Sequence, residues 1–207
     1  MSEYGRMWLG ERAVDAIVIG GSAGVIEVLR TILVSLPPSL VVPVGVVVHL
    51  PERSPSLLHE SLQPASCLPM SQVEDKEPLL GGHVYFAPPG YHFLVEKDRG
   101  AALSLDEPVY FSRPSIDVLF DSASDAYTST LLGILLTGAS PDGAAGLQTI
   151  GERGGITVVQ QPDTCQADLM PRSALELFRP TYVLAPNQIG TLLATLASTR
   201  RRSHDHD

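Results

Sequence analysis

The chain has 207 residues and a formal net charge of −9 at pH 7, a length that suits one well-packed domain and is short for two. An acidic balance opposes a sequence-independent grip on phosphate backbones, so nucleic acid is not an expected partner. Its two cysteines, Cys67 and Cys165, lie far apart in no C-x-x-C spacing, which indicates neither a disulfide framework nor a zinc site and suits a reducing compartment.

The N-terminus lacks the basic and sustained apolar regions of a signal peptide. The most apolar run, "LVVPVGVVVHL", is broken by proline and falls short of the roughly 20 residues that cross a bilayer. The expectation is a soluble, cytoplasmic protein with no membrane insertion. Residues 1–14 read as an extension, 15–198 as one domain, and 199–207 as a disordered tail that carries the basic run Arg200 to Arg202 and the histidines His204 and His206. No function is assigned to that tail.

Asp15 to Gly20 is a short apolar run of the kind buried on both faces of a parallel sheet. Ala23 to Ser35 follows with helical spacing at Val25, Val28, Leu29 and Ile32. Pro43 to Val48 reads as a second strand, and Ser54 or Pro55 opens a second helical stretch. The patch "PMSQVEDKEPLLGG" reads as a loop crossing a sheet edge. In "GHVYFAPPGYHFLVE", two strand-like runs flank Pro88, Pro89 and Gly90, which predicts an antiparallel hairpin. Ser115 then offers an N-cap for a helix through Ile116, Leu119, Phe120 and Ala123, with Asp117 suited to the helix dipole. A strand over Thr130 to Leu136, a helix from near Gly143, the strand "GGITVVQ", the helix start "MPRSALEL" and a last short strand and helix complete the chain. The alternation predicts an α/β fold: a doubly wound, mostly parallel sheet with helices on both faces and an antiparallel hairpin insertion.

Ligands of open α/β sheets bind outside the carboxyl ends of the strands, so strand-end residues are the informative ones. Ser22 lies in "GGSAG", a match to Gly-x-Ser-x-Gly, where a strand turns sharply into a helix and exposes the hydroxyl. His49 follows the second strand, and Asp142 lies in a glycine-flanked turn before a helix. Singly, these read as a helix cap or phosphate ligand, a structural histidine and an N-cap. Jointly they are the three members of an acyl-transfer triad, and the residues alone leave both readings open.

The remaining candidates carry less. His59 falls in a helical pattern, while His83 and His92 belong to the hairpin, and all three read as structural. Asp121 and Asp125 repeat on a helix surface. Ser140 is a rival nucleophile without a strand-to-helix elbow, and Cys67 has no histidine near it in sequence. "GGSAGV" lacks G-x-G-x-x-G, and no Gly-Lys-Ser or Gly-Lys-Thr occurs; a phosphate on the helix N-terminus is a minor alternative.

Several motifs in order, "IGGSAG", "HLP", "YFAPPGYH", "SRPSIDVLF", "LLTGASPDGAAGL" and "ADLMPRSAL", resemble the catalytic domain of the bacterial chemotaxis protein-glutamate methylesterases, the CheB family, from about Ala16 to Leu193. The resemblance implies a Ser22, His49, Asp142 triad acting on γ-glutamyl methyl esters of methyl-accepting chemoreceptor cytoplasmic domains, with methanol released and glutamine deamidation as a related activity. It implies no metal or organic cofactor. Backbone N–H groups near Ala23 or Ala139 are candidate oxyanion donors, and Met170 and Pro171 line the site by the same resemblance.

Three features depart from the family pattern. About 15 residues precede the first strand, where the family commonly carries a receiver domain, so a separate regulatory protein is an expected partner. Val25 stands where glycine is usual, and Ala139 where methionine is usual. These departures leave two alternatives: a non-catalytic receptor or signalling adaptor, and an esterase for another small acyl ester. Arg113 and Arg172 are candidates to meet acidic groups of a receptor, or else members of surface ion pairs.

Overall fold

The computed structural model describes residues 12–49 and 57–196. The strands are β1 Ala16–Gly21, β2 Val44–Val48, β3 Met70–Gln72, β4 Val84–Phe86, β5 His92–Val95, β6 Ala101–Ser104, β7 Leu131–Leu135, β8 Ile156–Gln160 and β9 Tyr182–Leu184. The α-helices are α1 Val25–Leu33, α2 Leu58–Leu62, α3 Ile116–Tyr127, α4 Ala144–Glu152, α5 Leu169–Leu177 and α6 Pro186–Ala194.

Seven strands form one sheet in the order β3-β4-β2-β1-β7-β8-β9, every pairing parallel. β1, β2, β7 and β8 are buried at every position, as continuous apolar runs in a sheet covered on both faces must be. Successive side chains alternate between faces. Ile17 and Ile19 of β1 therefore pack with α1, α2 and α6, while Ala16 and Val18 pack with α3, α4 and α5. Each isoleucine or leucine fully withdrawn from water in these layers contributes about 1.5–3 kcal/mol.

From β1 the chain moves to one side through β2 and later returns to the other through β7. The strand order thus reverses beside β1, the place where a crevice opens at the carboxyl ends of a doubly wound sheet. Among the described residues, no helix is long and apolar enough to cross a membrane.

The hairpin lies later in the chain than the sequence suggests. Val84–Phe86 joins the main sheet parallel to β2, and the antiparallel partner of His92–Val95 is Ala101–Ser104. The Pro88-Pro89-Gly90 stretch is a connection from the sheet to the hairpin. Met70–Gln72, read as loop, is a short edge strand parallel to β4. Ser54 and Pro55 lie outside the described residues, as do the tail residues Arg200 to Arg202, His204 and His206.

Candidate active site

Ser22 follows β1 directly, and His49 follows β2. The pairing of Gly21 with Val48 makes Ser22 and His49 the next rung of the parallel ladder, and the His49 N–H donates to Gly21 O at 3.2 Å. On the other side of β1, the Ser22 N–H donates to Thr137 O at 2.9 Å, just past β7. The turn from Ser22 to α1 closes through Gly24, whose φ of 80° is a left-handed conformation that glycine adopts without steric cost. Gly138 admits Met170 from below: a β-carbon there would lie 2.5 Å from Met170 Cε and 3.1 Å from Ser22 Cβ.

Asp142 is wholly buried, with a side-chain exposure of 0%. Its Oδ2 accepts from His49 Nε2 at 2.7 Å and from the Ile116 N–H at 2.7 Å. Its Oδ1 accepts from Ser115 Oγ at 2.8 Å and from the Asp117 N–H at 3.0 Å. Four donors saturate the acceptor sites of a carboxylate. Two of them are the first N–H groups of α3, where the helix dipole also favours an anion. Burial raises the Asp142 pKa, but the hydrogen bonds from His49, Asp117 and Ile116 outweigh it and hold the group below its ordinary value.

With Nε2–H directed at this carboxylate, the neutral imidazole of His49 presents Nδ1 as its basic nitrogen. This turns the ring end for end relative to the serine-protease arrangement, in which Nδ1–H faces the aspartate. Ser112 Oγ lies 3.4 Å from Nδ1. Ser22 Oγ makes no hydrogen bond with another described residue.

The residues that hold Asp142 were only partly readable beforehand. Ser115 caps α3 by accepting from the Val118 N–H at 3.4 Å, as expected, and also donates to Asp142. Its own N–H donates to Nδ1 of buried His92 at 3.1 Å, and His92 Nε2 donates to Glu107 O at 3.2 Å. His92 is therefore structural, as read, but it orients the partner of Asp142. Asp117 is nearly buried, and burial, with the nearby Asp142 charge adding to it, pushes its pKa up to about 7. No sequence signal separates this carboxylate from an ordinary first-turn aspartate.

The rival groups have other partners. Ser140 Oγ accepts from the Asp142 N–H at 3.2 Å, a local turn contact. Burial, more than the nearby Asp168, pushes the Cys165 thiol up to about 11, which leaves it a poor nucleophile at neutral pH. Arg172 pairs with Asp168 at 2.5 Å, and Arg113 donates to the carbonyls of Leu105 and Asp106 at 3.0 and 3.1 Å. The Arg172 charge thus faces a carboxylate, whereas Arg113 has main-chain carbonyls at one end of its guanidinium and a buried Nε without a hydrogen-bond partner. Asp125 is exposed on the helix surface, as expected, and pairs there with Arg153, and His83 bonds to Ser71 at 2.9 Å and stacks on Tyr85.

Val25 is buried in the core with Leu29 and Ile32, and its Cγ2 approaches Gly21, where a β-carbon would lie 2.4 Å away. Its β-branched side chain thus fills the core beside a glycine. Ala23 and Ala139 are exposed, and their N–H groups donate to no other described residue. Met170 is buried beneath Gly138 rather than open to the crevice.

Residues 17–193 match the model of the CheB methylesterase family. A protein of Leptospira interrogans, provisionally named a protein-glutamate methylesterase/protein-glutamine glutaminase, is 46% identical over 182 residues, covering 88% of this chain and 94% of its own. The Archaeoglobus fulgidus protein-glutamate methylesterase/protein-glutamine glutaminase is 36% identical over 173 residues, 82% of this chain but 50% of its own, so the chain spans about half the length of that relative. The crystal structure of the Thermotoga maritima CheB methylesterase catalytic domain superposes with a TM-score of 0.84 at 29% identity, covering 89% of this chain and 99% of that one. The sheet order and these matches together establish that the chain belongs to the CheB methylesterase family.

Proposed function

We propose that this protein is a serine esterase that hydrolyses γ-glutamyl methyl esters on chemoreceptor cytoplasmic domains to glutamate and methanol. The observation that carries the reading is the 2.7 Å bond from His49 Nε2 to a saturated, buried Asp142, at the strand end next to Ser22. The names of the relatives supply the substrate class.

In the proposed reaction Ser22 Oγ attacks the ester carbonyl while His49 Nδ1 takes its proton. The carbonyl π-bond opens to an oxyanion, and the free N–H groups of Ala23 and Ala139 are the candidate donors to it; losing one such donor typically costs about 2.7–4 kcal/mol. Collapse expels methoxide, which takes the proton from His49 and leaves as methanol. Water, deprotonated by the same Nδ1, then attacks the acyl-enzyme; collapse of this second adduct breaks the acyl–Oγ bond, returns the proton from His49 to Ser22 Oγ and frees the glutamate. Asp142 keeps the proton on Nε2 throughout and stabilises the imidazolium. A glutamine side chain entering the same sequence would release ammonia in the first half-reaction, which accounts for the second activity in the relatives' names. Regulation by a separate protein belongs to the same proposal.

Methanol release from methyl-esterified receptor fragments tests it. Wild-type turnover should fall by up to about a millionfold in Ser22→Ala and His49→Ala. A folded wild type without turnover, or a Ser22→Ala variant that retains it, overturns the reading.

A further inference from the structure

The loop that brings Ser112 to His49 has an unusual backbone. The Ser112 N–H donates to Val109 O at 2.9 Å and the Val109 N–H to Ser112 O at 3.1 Å, which closes a two-residue hairpin turn. Both central residues, Tyr110 at φ 47° and Phe111 at φ 61°, are left-handed. This is the signature of a type I′ turn, which Asn-Gly fills readily and a pair of bulky aromatic residues fills against its conformational preference. Such strain persists where the surroundings hold it in place, and it clusters at functional sites.

Phe111 gains no packing in return, and Tyr110 is only about half covered. Phe111 is 104% exposed and Tyr110 52%. The third exposed aromatic residue among those described, Tyr91, is at 41% and lies on the neighbouring loop, tied to this one by the Gly90 N–H donating to Arg113 O at 3.2 Å. All three exposed aromatics therefore stand on two joined loops, one of which ends 3.4 Å from the imidazole of His49. The Arg113 guanidinium in the same loop is fixed in place by the main-chain carbonyls of Leu105 and Asp106, so the exposed surface of the turn itself is that of the aromatic rings. Exposed aromatic residues of this kind are the side chains that anchor protein partners.

We propose that the Tyr110-Phe111 turn, with Tyr91 beside it, is the docking anchor for the polypeptide that flanks the target glutamate, and so selects a protein-borne ester over a small free one. This rests on the esterase reading above. The occupant is the substrate protein because the rim is continuous with the proposed reaction centre through Ser112. The proposal places the backbone that carries an ester side chain held at Ser22 against that rim. Contacts remote from the reacting atoms are also the means by which an enzyme favours an extended substrate over a truncated one.

The test replaces Tyr110 and Phe111 by Asn and Gly, which suit the turn and keep Ser112 in place. A Phe111→Ser variant serves should the double change alter folding. Rates on a methyl-esterified receptor fragment and on p-nitrophenyl acetate are compared, and the affinity for the same fragment is measured separately in a Ser22→Ala background. The variant should lose at least about tenfold more kcat/KM on the protein than on the small ester, and bind the fragment at least about tenfold more weakly. Equal losses on the two substrates with unchanged affinity overturn the anchor and leave the esterase reading standing. A wild type that binds the fragment through these aromatics without hydrolysing it supports the anchor and overturns the esterase reading. A wild type that neither binds nor hydrolyses it overturns both.

Discussion

Asp142, two residues before α4, accepts the first N–H groups of α3 at 2.7 and 3.0 Å, and Asp117, in the first turn of α3, accepts the Gly146 N–H of α4 at 2.7 Å. Each helix is thus capped by a carboxylate carried on or beside the other. The exchange has a local reason: Gly143, the N-cap residue of α4, has no side chain to do it. It also clamps the turn that presents Asp142 to His49.

Only one of the two carboxylates is stabilised as an anion, and that asymmetry is measurable. The Asp117 pKa rises from 3.8 to about 7, so between those values the folded chain holds a proton that the unfolded chain has released. Stability therefore falls as pH rises through this window. Asp117→Asn, fixed in the neutral form, should gain on the wild type across it, the difference growing by as much as about 4 kcal/mol between pH 4 and pH 8. Denaturant melts at several pH values read it out, and parallel curves for the two proteins would refute the assignment.

Asp142→Asn puts an amide N–H2 in place of one of two oxygens, of which Oδ2 accepts from His49 Nε2 and the Ile116 N–H and Oδ1 from Ser115 Oγ and the Asp117 N–H. The carboxamide oxygen can serve one side only. Leaving buried donors unpaired costs about 1–3 kcal/mol, and the imidazole is driven toward the tautomer with a proton on Nδ1, which cannot accept one from Ser22. The expected result is a folded protein with a lower melting temperature and a kcat reduced about 10⁴-fold, the size of the equivalent change in a serine protease. Activity within tenfold of wild type would remove Asp142 from the proposed triad.

Ser115 joins the two networks, so its removal should be felt in both. Ser115→Ala deletes the α3 cap and one donor to Asp142 Oδ1. A loss of about 0.5–2 kcal/mol is expected from the cap alone. Catalysis should fall by less than in Asp142→Asn, because His49 keeps its partner. Melting temperature and kcat measured side by side separate the two effects; unchanged stability would show that the cap carries no weight here.

The legible parts of this molecule were those whose physics is local. β1, β2, β7 and β8 announce themselves because a strand buried on both faces must be apolar throughout, and Ser115 because a cap is a neighbouring-residue interaction. Ser22, His49 and Asp142 were visible as strand-end residues once the parallel sheet was assumed. Met70–Gln72 was not, since a three-residue edge strand is defined by its partner at Val84–Phe86 and carries little pattern of its own. The position of the hairpin is not legible, because Val84–Phe86 has the composition of either a hairpin arm or a sheet strand, and the open side of β2 decides which. The capping role of Asp117, the contact of Ser112 with His49 and the bond from Ser115 to His92 span 23 to 63 positions. Contacts of that range become readable only when the chain has folded.

Gly24 offers a last test of how the elbow presents Ser22. Its φ of 80° lies in the left-handed region, and a β-carbon there would meet Gln166 Cβ and Oε1 at 2.5 Å. Gly24→Ala should therefore destabilise the protein twice over, by about 1–2 kcal/mol for the left-handed alanine and further for displacing Gln166. The turn can relieve this strain only by changing the backbone between Ser22 and Val25. That change moves the Ala23 N–H and the serine hydroxyl together, and a displacement of about 1 Å can cost about a hundredfold in rate. The variant should thus lose far more activity than stability, while Val25→Ala, which empties core volume beyond the elbow, should show the opposite balance. Melting temperatures and ester hydrolysis rates for the pair decide it; a Gly24→Ala protein that is destabilised yet fully active would mean that the elbow tolerates a second conformation.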